Sequence, residues 1–119
     1  MRITIYHHPG CSKSRKTLEL IESRGVTPEI VEYLATPPDA STLLRLARQL
    51  DMPLADLLRR GEPAFRDAGD AVPLDDQAAL AEWLHANPQV LQRPIVVDEE
   101  HDRAVIGRPP ENVLSVLGQ

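Results

Sequence analysis

The sequence is poor in cysteine and in aromatic residues: its 119 residues include one cysteine, one tryptophan and one phenylalanine. A lone thiol excludes an internal disulfide and any metal site that is built from several thiolates. If this cysteine takes part in redox chemistry, the second thiol must therefore come from another molecule.

Long hydrophobic runs and an excess of basic residues are also missing. No apolar stretch is long enough to cross a bilayer, and the N-terminal MRITIYHHPG is unlike a signal peptide because its short apolar part leads into histidines. The net charge of −5 argues against a general nucleic-acid surface. We therefore expect a soluble cytoplasmic protein with no nucleic-acid or membrane partner. The chain length predicts one domain, residues 1–119.

The predicted elements follow the order βαβ, a helical segment, and ββα. Strands are predicted at residues 3–6, 29–34, 94–97 and 103–106. An amphipathic helix at 12–24 separates the first two strands, which favours a right-handed crossover between parallel strands. A polar stretch joins the last two strands, which we expect to be antiparallel, and a closing helix is predicted at 110–118. The fold class is therefore α/β with a mixed sheet.

The middle of the chain, at about residues 39–90, is predicted to be a helical insertion. Leucines at helical spacing predict a helix at 41–50, Pro53 begins a shorter helix, and another helix is predicted at 75–86. Residues 61–74 are rich in Gly, Pro and Asp, and we expect them to be irregular.

Cys11 lies within the segment HHPGCSKSRKTL, at the predicted turn from the first strand into the first helix. A helix N-terminus favours an anion, Arg15 lies one helical turn away, and His7 or His8 could reach the sulfur. These features would lower the pKa of the thiol and make it an activated nucleophile. A free cysteine is more often a small buried hydrophobe, but the polar turn around Cys11 argues against that interpretation.

Arginines that precede turns and strands form a second candidate feature. They are Arg59 and Arg60, Arg93 before Pro94, and Arg108 before Pro109. Guanidinium groups bind tetrahedral oxyanions through two parallel hydrogen bonds. Taken singly, each arginine is better explained as a solvated surface charge, so the oxyanion site depends on several of them converging.

Other types of site are disfavoured by the same residues. The histidines and Cys11 lack the spacing of metal ligands, so we expect no metal. The segment HPGCSKS lacks the Gly-Lys-Ser/Thr ending of a phosphate loop. Only three residues separate Cys11 from Arg15, too few to wrap an oxyanion as a cysteine phosphatase does.

Three segments together resemble the ArsC-type arsenate reductase family, and most closely a short chromosomal branch of it. They are HHPGCSKSRKTLELI, RPIVV at 93–97 and IGRPPENVL at 106–114. They span nearly the whole chain in the family's order. The resemblance implies a thioredoxin-like fold, related to the glutaredoxins, whose βαβ…ββα order is the one predicted above.

The resemblance also implies roles for individual residues. Cys11 would attack arsenate, His7 would keep the thiol ionised, and Arg15 would also be catalytic. The substrate-binding residues would be Ser14, Arg59, Arg93 and Arg108. Pro94 would be the cis-proline beside the thiol, and His8 stands where many relatives carry Asn.

The electron donor is a further implication of the resemblance. Glutathione would be the co-substrate that releases arsenite, glutaredoxin would then remove the glutathione, and no cofactor would be bound. This cycle fits a chain with one thiol, and we expect the enzyme to be a monomer. Two alternatives stay open: a glutathione-linked thiol oxidoreductase with another substrate, and a redox- or transcription-regulator-like binding protein without arsenate activity.

Overall fold

The computed structural model describes residues 1–118, which contain four strands, four α-helices and several short 3₁₀ turns. The strands are β1 (Ile3–His7), β2 (Glu29–Glu32), β3 (Ile95–Asp98) and β4 (Arg103–Ile106). The helices are α1 (Ser12–Ser23), α2 (Ala40–Leu50), α3 (Pro63–Ala68) and α4 (Gln77–Ala86). The 3₁₀ turns are Leu54–Leu57, Gly69–Ala71, Pro88–Val90 and Pro110–Ser115. None of the helices in this part of the chain combines the length and apolar character that a bilayer span needs.

The contacts divide the chain into two compact units. One unit consists of Met1–Thr36 and the chain from Arg93 onward, and the other consists of Pro37–Gln92. The second unit coincides with the predicted helical insertion. The prediction of one domain over residues 1–119 is not decided by this division and stays a prediction.

The four strands form one mixed sheet in the order β2-β1-β3-β4. β1 and β2 are parallel, as the intervening helix α1 requires, whereas β3 is antiparallel to both β1 and β4. Every residue of β1 and β3 is buried because these two strands lie in the centre, and β2 and β4 are the partly exposed edges. The predicted mixed sheet is confirmed, and its order and directions are those of a thioredoxin-like fold.

One face of α1 is buried in the first unit. Its buried residues Ser14, Thr17 and Ile21 recur every three or four positions, which places them on one side of the helix. Ile21 belongs to an apolar cluster that also contains Ile3, Ile5, Val96, Val113, Val116 and Leu117. Burying a side chain of this size contributes about 1.5–3 kcal/mol. The cluster therefore fixes α1 against β1 and β3.

The second unit is built mainly from α2 and α4, which contact each other. Their buried leucines are Leu43, Leu46, Leu50, Leu80 and Leu84. Asp39 and Asp76 are the N-cap residues: the carboxylate of Asp39 accepts the N–H of Thr42 at 2.8 Å, and that of Asp76 accepts the N–H of Ala79 at 3.1 Å.

Some predicted elements differ from the structure. The prediction that residues 61–74 are irregular is wrong, because they contain α3, which begins at Pro63 where the fixed φ of proline suits a first helical turn. The helices predicted from Pro53 and at 110–118 are 3₁₀ turns. Short connecting segments of this kind commonly adopt 3₁₀ geometry.

Candidate active site

One end of the sheet brings together predicted site residues from three distant parts of the chain. Because β3 is antiparallel to both β1 and β4, the end of β1, the start of β3 and the end of β4 meet there. The loop after β1 carries Cys11, the chain just before β3 carries Arg93, and the chain just after β4 carries Arg108. Residues far apart in the sequence therefore converge on one region of the first unit.

Cys11 is the N-cap residue of α1 and is partly exposed. Its N–H donates to the carbonyl of His8 at 3.0 Å, which closes a turn over Pro9 and Gly10. Its own carbonyl accepts the N–H of Arg15 at 3.0 Å, at the start of the helix. Proline followed by glycine suits the two central positions of such a turn. The thiol is thus held at the positive end of the helix dipole.

The surroundings of the Cys11 sulfur act on its pKa in opposite directions. Burial raises the pKa, but the backbone N–H groups of Ser14 and Lys13 and the guanidinium group of Arg93 lower it to about 7. The two N–H groups belong to the first turn of α1 and stabilise the thiolate. A large fraction of Cys11 is therefore ionised at neutral pH, as nucleophilic attack requires.

A second guanidinium group also faces the thiol. Nη1 of Arg108 lies 3.9 Å from Cys11 Sγ and donates to the carbonyl of Arg93 at 3.3 Å. Both arginines precede a proline, and the peptide bonds Arg93–Pro94 and Arg108–Pro109 are cis. The cis bond at Pro94 was expected from the resemblance, whereas nothing in the sequence pointed to the one at Pro109. Two guanidinium groups beside one thiolate suit the binding of a tetrahedral oxyanion.

His7 and Ser14 form a buried pair behind the thiol. Nδ1 of His7 lies 2.6 Å from the hydroxyl of Ser14, which also accepts the N–H of His8 at 3.0 Å. Burial lowers the pKa of His7; Glu32 acts against this effect, and the charge of His8, when that ring is protonated, and the charge of Arg15 add to it. The neutral form of His7 is therefore favoured, and its ring contacts Ser14, whose backbone N–H faces the sulfur. The predicted roles of His7 and Ser14 in the reaction stay predictions.

The remaining predicted arginines have other partners. Nη1 of Arg15 donates to the carbonyl of Pro9 at 2.9 Å, so this side chain braces the turn. Arg59 belongs to the second unit, where its Nη1 donates to Oε1 of Gln92 at 3.3 Å. Its Nε is buried and has no hydrogen-bond partner among residues 1–118. The site roles of Arg15 and Arg59 stay predictions.

Backbone groups complete the surroundings of the thiol. The predicted helix N-terminus implied N–H groups near the sulfur, and that of Lys13 is one of them, whereas the contribution of Gly107 escaped the sequence analysis. Gly107 donates its N–H to the carbonyl of Pro94 at 2.9 Å. A Cβ atom on Gly107 would lie 2.6 Å from Oγ1 of Thr17 and 2.9 Å from Cγ of Pro94. The only available signal was the glycine before Arg108 in the segment IGRPPENVL.

Comparison with known proteins shows that the similarity covers nearly the whole chain, in sequence and in fold. The sequence pattern of the ArsC family matches residues 6–116. The chain is 44% identical over 118 residues to the protein named "Uncharacterized protein YfgD" of Escherichia coli (strain K12), covering 98% of each chain. It is 40% identical over 116 residues, 97% of each chain, to a protein of Neisseria meningitidis named arsenate reductase. A solved structure from Vibrio cholerae, named arsenate reductase, has a TM-score of 0.90 and 37% identity, covering 98% of both chains.

Proposed function

This chain belongs to the ArsC family, and from that membership we propose that it is an arsenate reductase whose nucleophile is the thiolate of Cys11. The observation that carries the proposal is the position of one thiol, with a pKa of about 7, beside the guanidinium groups of Arg93 and Arg108. The thiolate supplies the nucleophile, and the arginines supply the charge that an oxyanion needs.

In the first step, the Cys11 thiolate attacks the arsenic atom of arsenate. A sulfur–arsenic bond forms, an arsenic–oxygen bond breaks, and the departing oxygen takes up protons and leaves as water. Arsenic remains pentavalent in this adduct. Arg93 and Arg108 bind the arsenate oxygens and offset the repulsion between two negatively charged reactants.

Glutathione supplies the second thiol, because the chain contains no other cysteine. Its sulfur attacks Cys11 Sγ, a sulfur–sulfur bond forms, and the sulfur–arsenic bond breaks. The electron pair of that bond stays on arsenic, which takes up two electrons and leaves as arsenite. Glutaredoxin then removes glutathione from Cys11 by thiol–disulfide exchange and restores the thiol.

The cycle requires no bound cofactor and no second subunit. Cys11, Arg93 and Arg108 lie together within the first unit, so the proposed reaction needs no residue of a second subunit, and we propose a monomeric enzyme. A reduced glutathione pool is a property of the cytosol. We therefore place the reaction of this monomer in the cytoplasm.

A coupled assay tests this proposal. Arsenate, glutathione, glutaredoxin, glutathione reductase and NADPH are combined with the protein, and arsenate-dependent oxidation of NADPH is followed. We expect activity with the wild type, background with Cys11→Ser, and wild-type activity with Ser12→Ala, which changes an exposed neighbour. A wild-type rate equal to that of Cys11→Ser would refute arsenate reduction. Reduction of a glutathione mixed disulfide in the same preparation would then favour a thiol oxidoreductase with another substrate.

A further inference from the structure

His8 uses three polar groups to hold the turn that precedes Cys11. Its ring Nδ1 accepts the N–H of Gly10 at 3.1 Å, its carbonyl accepts the N–H of Cys11 at 3.0 Å, and its N–H donates to the hydroxyl of Ser14 at 3.0 Å. The last two bonds use the backbone of His8 and do not depend on its side chain. The bond to Gly10 is therefore what the imidazole itself contributes.

The bond from Gly10 to the ring has the connectivity of an Asx turn. In such a turn the side chain of Asn or Asp accepts the N–H of the residue two positions later. In this chain an imidazole nitrogen takes the place of that oxygen. Because the N–H of Gly10 is the donor, Nδ1 of His8 carries no proton, and the neutral ring carries its proton on Nε2. Unlike an amide oxygen, this acceptor is lost when the ring is protonated.

The position of the His8 ring is constrained on two sides. A Cβ atom on Gly10 would lie 2.9 Å from the ring Cε1, so the absent side chain is what lets the ring lie against the turn. The ring also meets the buried ring of Tyr33 edge-on, with centroids 6.3 Å apart and planes at 78°. Moving the ring would break the bond to Gly10 and disturb this packing.

We infer that His8 is a positioning residue for the nucleophile: its neutral imidazole fixes the Pro9–Gly10 turn and thereby holds the Cys11 sulfur toward the N–H groups of Lys13 and Ser14. The inference rests on the proposed function only in taking Cys11 as the reacting thiol. The ring acts through the backbone of the turn, and this role requires no contact between the ring and the substrate.

Protonation of the ring should release the turn. The parts of the neighbouring elements closest in sequence to the turn or in contact with the ring carry these ionisable groups: His7 on β1, Glu32 at the end of β2 and Tyr33 just after it, and Cys11, Lys13 and Arg15 at the start of α1. In acid, Nδ1 becomes a donor that can no longer accept the N–H of Gly10. The turn is then held by its backbone bonds alone.

Alkylation kinetics separate this role from a merely structural one. The chain has one cysteine, so the rate of reaction with iodoacetamide reports on Cys11 alone and needs no arsenate. We expect His8→Leu, which has no acceptor, to slow alkylation at pH 7 by roughly two- to tenfold, the effect of losing one hydrogen bond. His8→Asn, whose amide oxygen can form the Asx turn, should react within about twofold of the wild type. A wild-type rate in His8→Leu, or a rate in His8→Asn as low as that of His8→Leu, overturns the inference.

A direct measurement on the wild type keeps the inference testable if His8→Leu does not fold. The amide signal of Gly10 is followed by NMR as the pH is lowered. We expect the Gly10 amide signal to shift with the same pH midpoint as the ring signals of His8. In His8→Asn this pH-dependent shift of the Gly10 signal should be absent. The control is His85→Asn, which makes the same change at a ring that contacts the carbonyl of Pro38 and should leave the Gly10 transition in place. A Gly10 signal that ignores the protonation of His8 overturns the inference.

Discussion

Desolvation and hydrogen bonding act in opposite directions on the Cys11 sulfur. Burial alone would keep the thiol protonated, and only donors aimed at the sulfur bring its pKa to about 7. Two of those donors, the N–H groups of Lys13 and Ser14, belong to the backbone, so substitution of their side chains leaves them in place. Arg93 supplies a side-chain donor, so a substitution can remove its contribution.

We predict that Arg93→Ala moves the midpoint of Cys11 alkylation above about 7, because the thiolate loses both a hydrogen bond and a nearby positive charge. Loss of a hydrogen bond to a charged group costs about 1.5–3 kcal/mol, so kcat/KM for arsenate should fall about 10- to 150-fold. The measurements are the pH profile of alkylation and the coupled assay. Arg93→Lys keeps the positive charge but loses the planar guanidinium group. Its alkylation midpoint and kcat/KM should therefore lie between those of the wild type and those of Arg93→Ala.

The matched control for Arg93 is Arg45→Ala, the same change at an exposed position of α2. Its alkylation midpoint and kcat/KM should equal those of the wild type. Circular dichroism should show that Arg93→Ala keeps its fold. An alkylation midpoint that stays at about 7 in folded Arg93→Ala would contradict the assigned role, and so would unfolding of that variant at neutral pH.

At the scale of elements, local patterns determined what could be predicted from the sequence. Apolar β-branched runs gave β1 and β3, helical spacing gave α1 and α2, and Pro-Gly gave the turn before Cys11. α3 was missed because its segment is dominated by residues that favour turns. The approach of Arg93 and Arg108 to the thiol depends on strand pairing between distant segments. Local residue patterns do not reveal it, so only the family resemblance distinguished these arginines from surface charges.

Close packing between elements gives a second prediction, at Gly107. A methyl group in Gly107→Ala would overlap the side chain of Thr17 on α1 and the ring of Pro94 before β3. Overpacking of this kind costs about 1–3 kcal/mol, and we expect urea unfolding to show that loss. Activity should fall as well, because Arg93 and Arg108 are the neighbours of the displaced residues.

Gly61→Ala is the control for Gly107, because a Cβ atom on Gly61 meets nothing within 4 Å. Its stability should lie within about 0.5 kcal/mol of the wild type. The double variant Gly107→Ala/Thr17→Ala relieves one of the two overlaps. Its loss of unfolding free energy should therefore be smaller than the sum of the losses in Gly107→Ala and Thr17→Ala. Wild-type stability in Gly107→Ala would show that α1 moves freely away from the chain after β4.

At the scale of the whole molecule, the charge at the site differs from the charge of the chain. The net charge is −5, whereas the groups that face the thiol are arginines and N–H dipoles. Screening limits the reach of the distant acidic residues to about 8 Å at physiological salt, so the local groups dominate at the sulfur. The pKa values of His7, Cys11, Asp39, Asp98 and Glu100 are all lowered. Each of these groups binds protons less tightly in the folded state than in the unfolded state. The free energy of unfolding should therefore decrease as the pH falls.

Cys11 contributes to this pH dependence in a defined window. In the unfolded chain a cysteine titrates at about 8.5, and in the folded chain its pKa is about 7. A lowered pKa stabilises the folded state fully above the unfolded value, and the stabilisation is lost as the pH falls through the folded value. We therefore predict that the difference in unfolding free energy between the wild type and Cys11→Ser grows in favour of the wild type from pH 6 to pH 9.

Urea unfolding at intervals between pH 6 and pH 9, with a phosphine reductant and circular dichroism as the signal, measures this difference. Serine does not ionise in the range, so subtraction removes the titration of every other group and leaves that of Cys11. Ser12→Ala, an exposed neighbour with no ionisable group, should differ from the wild type by a constant amount. A constant difference for Cys11→Ser as well would mean that folding leaves the thiol pKa unchanged, and a difference that shrinks with rising pH would mean that burial outweighs the donors at the sulfur.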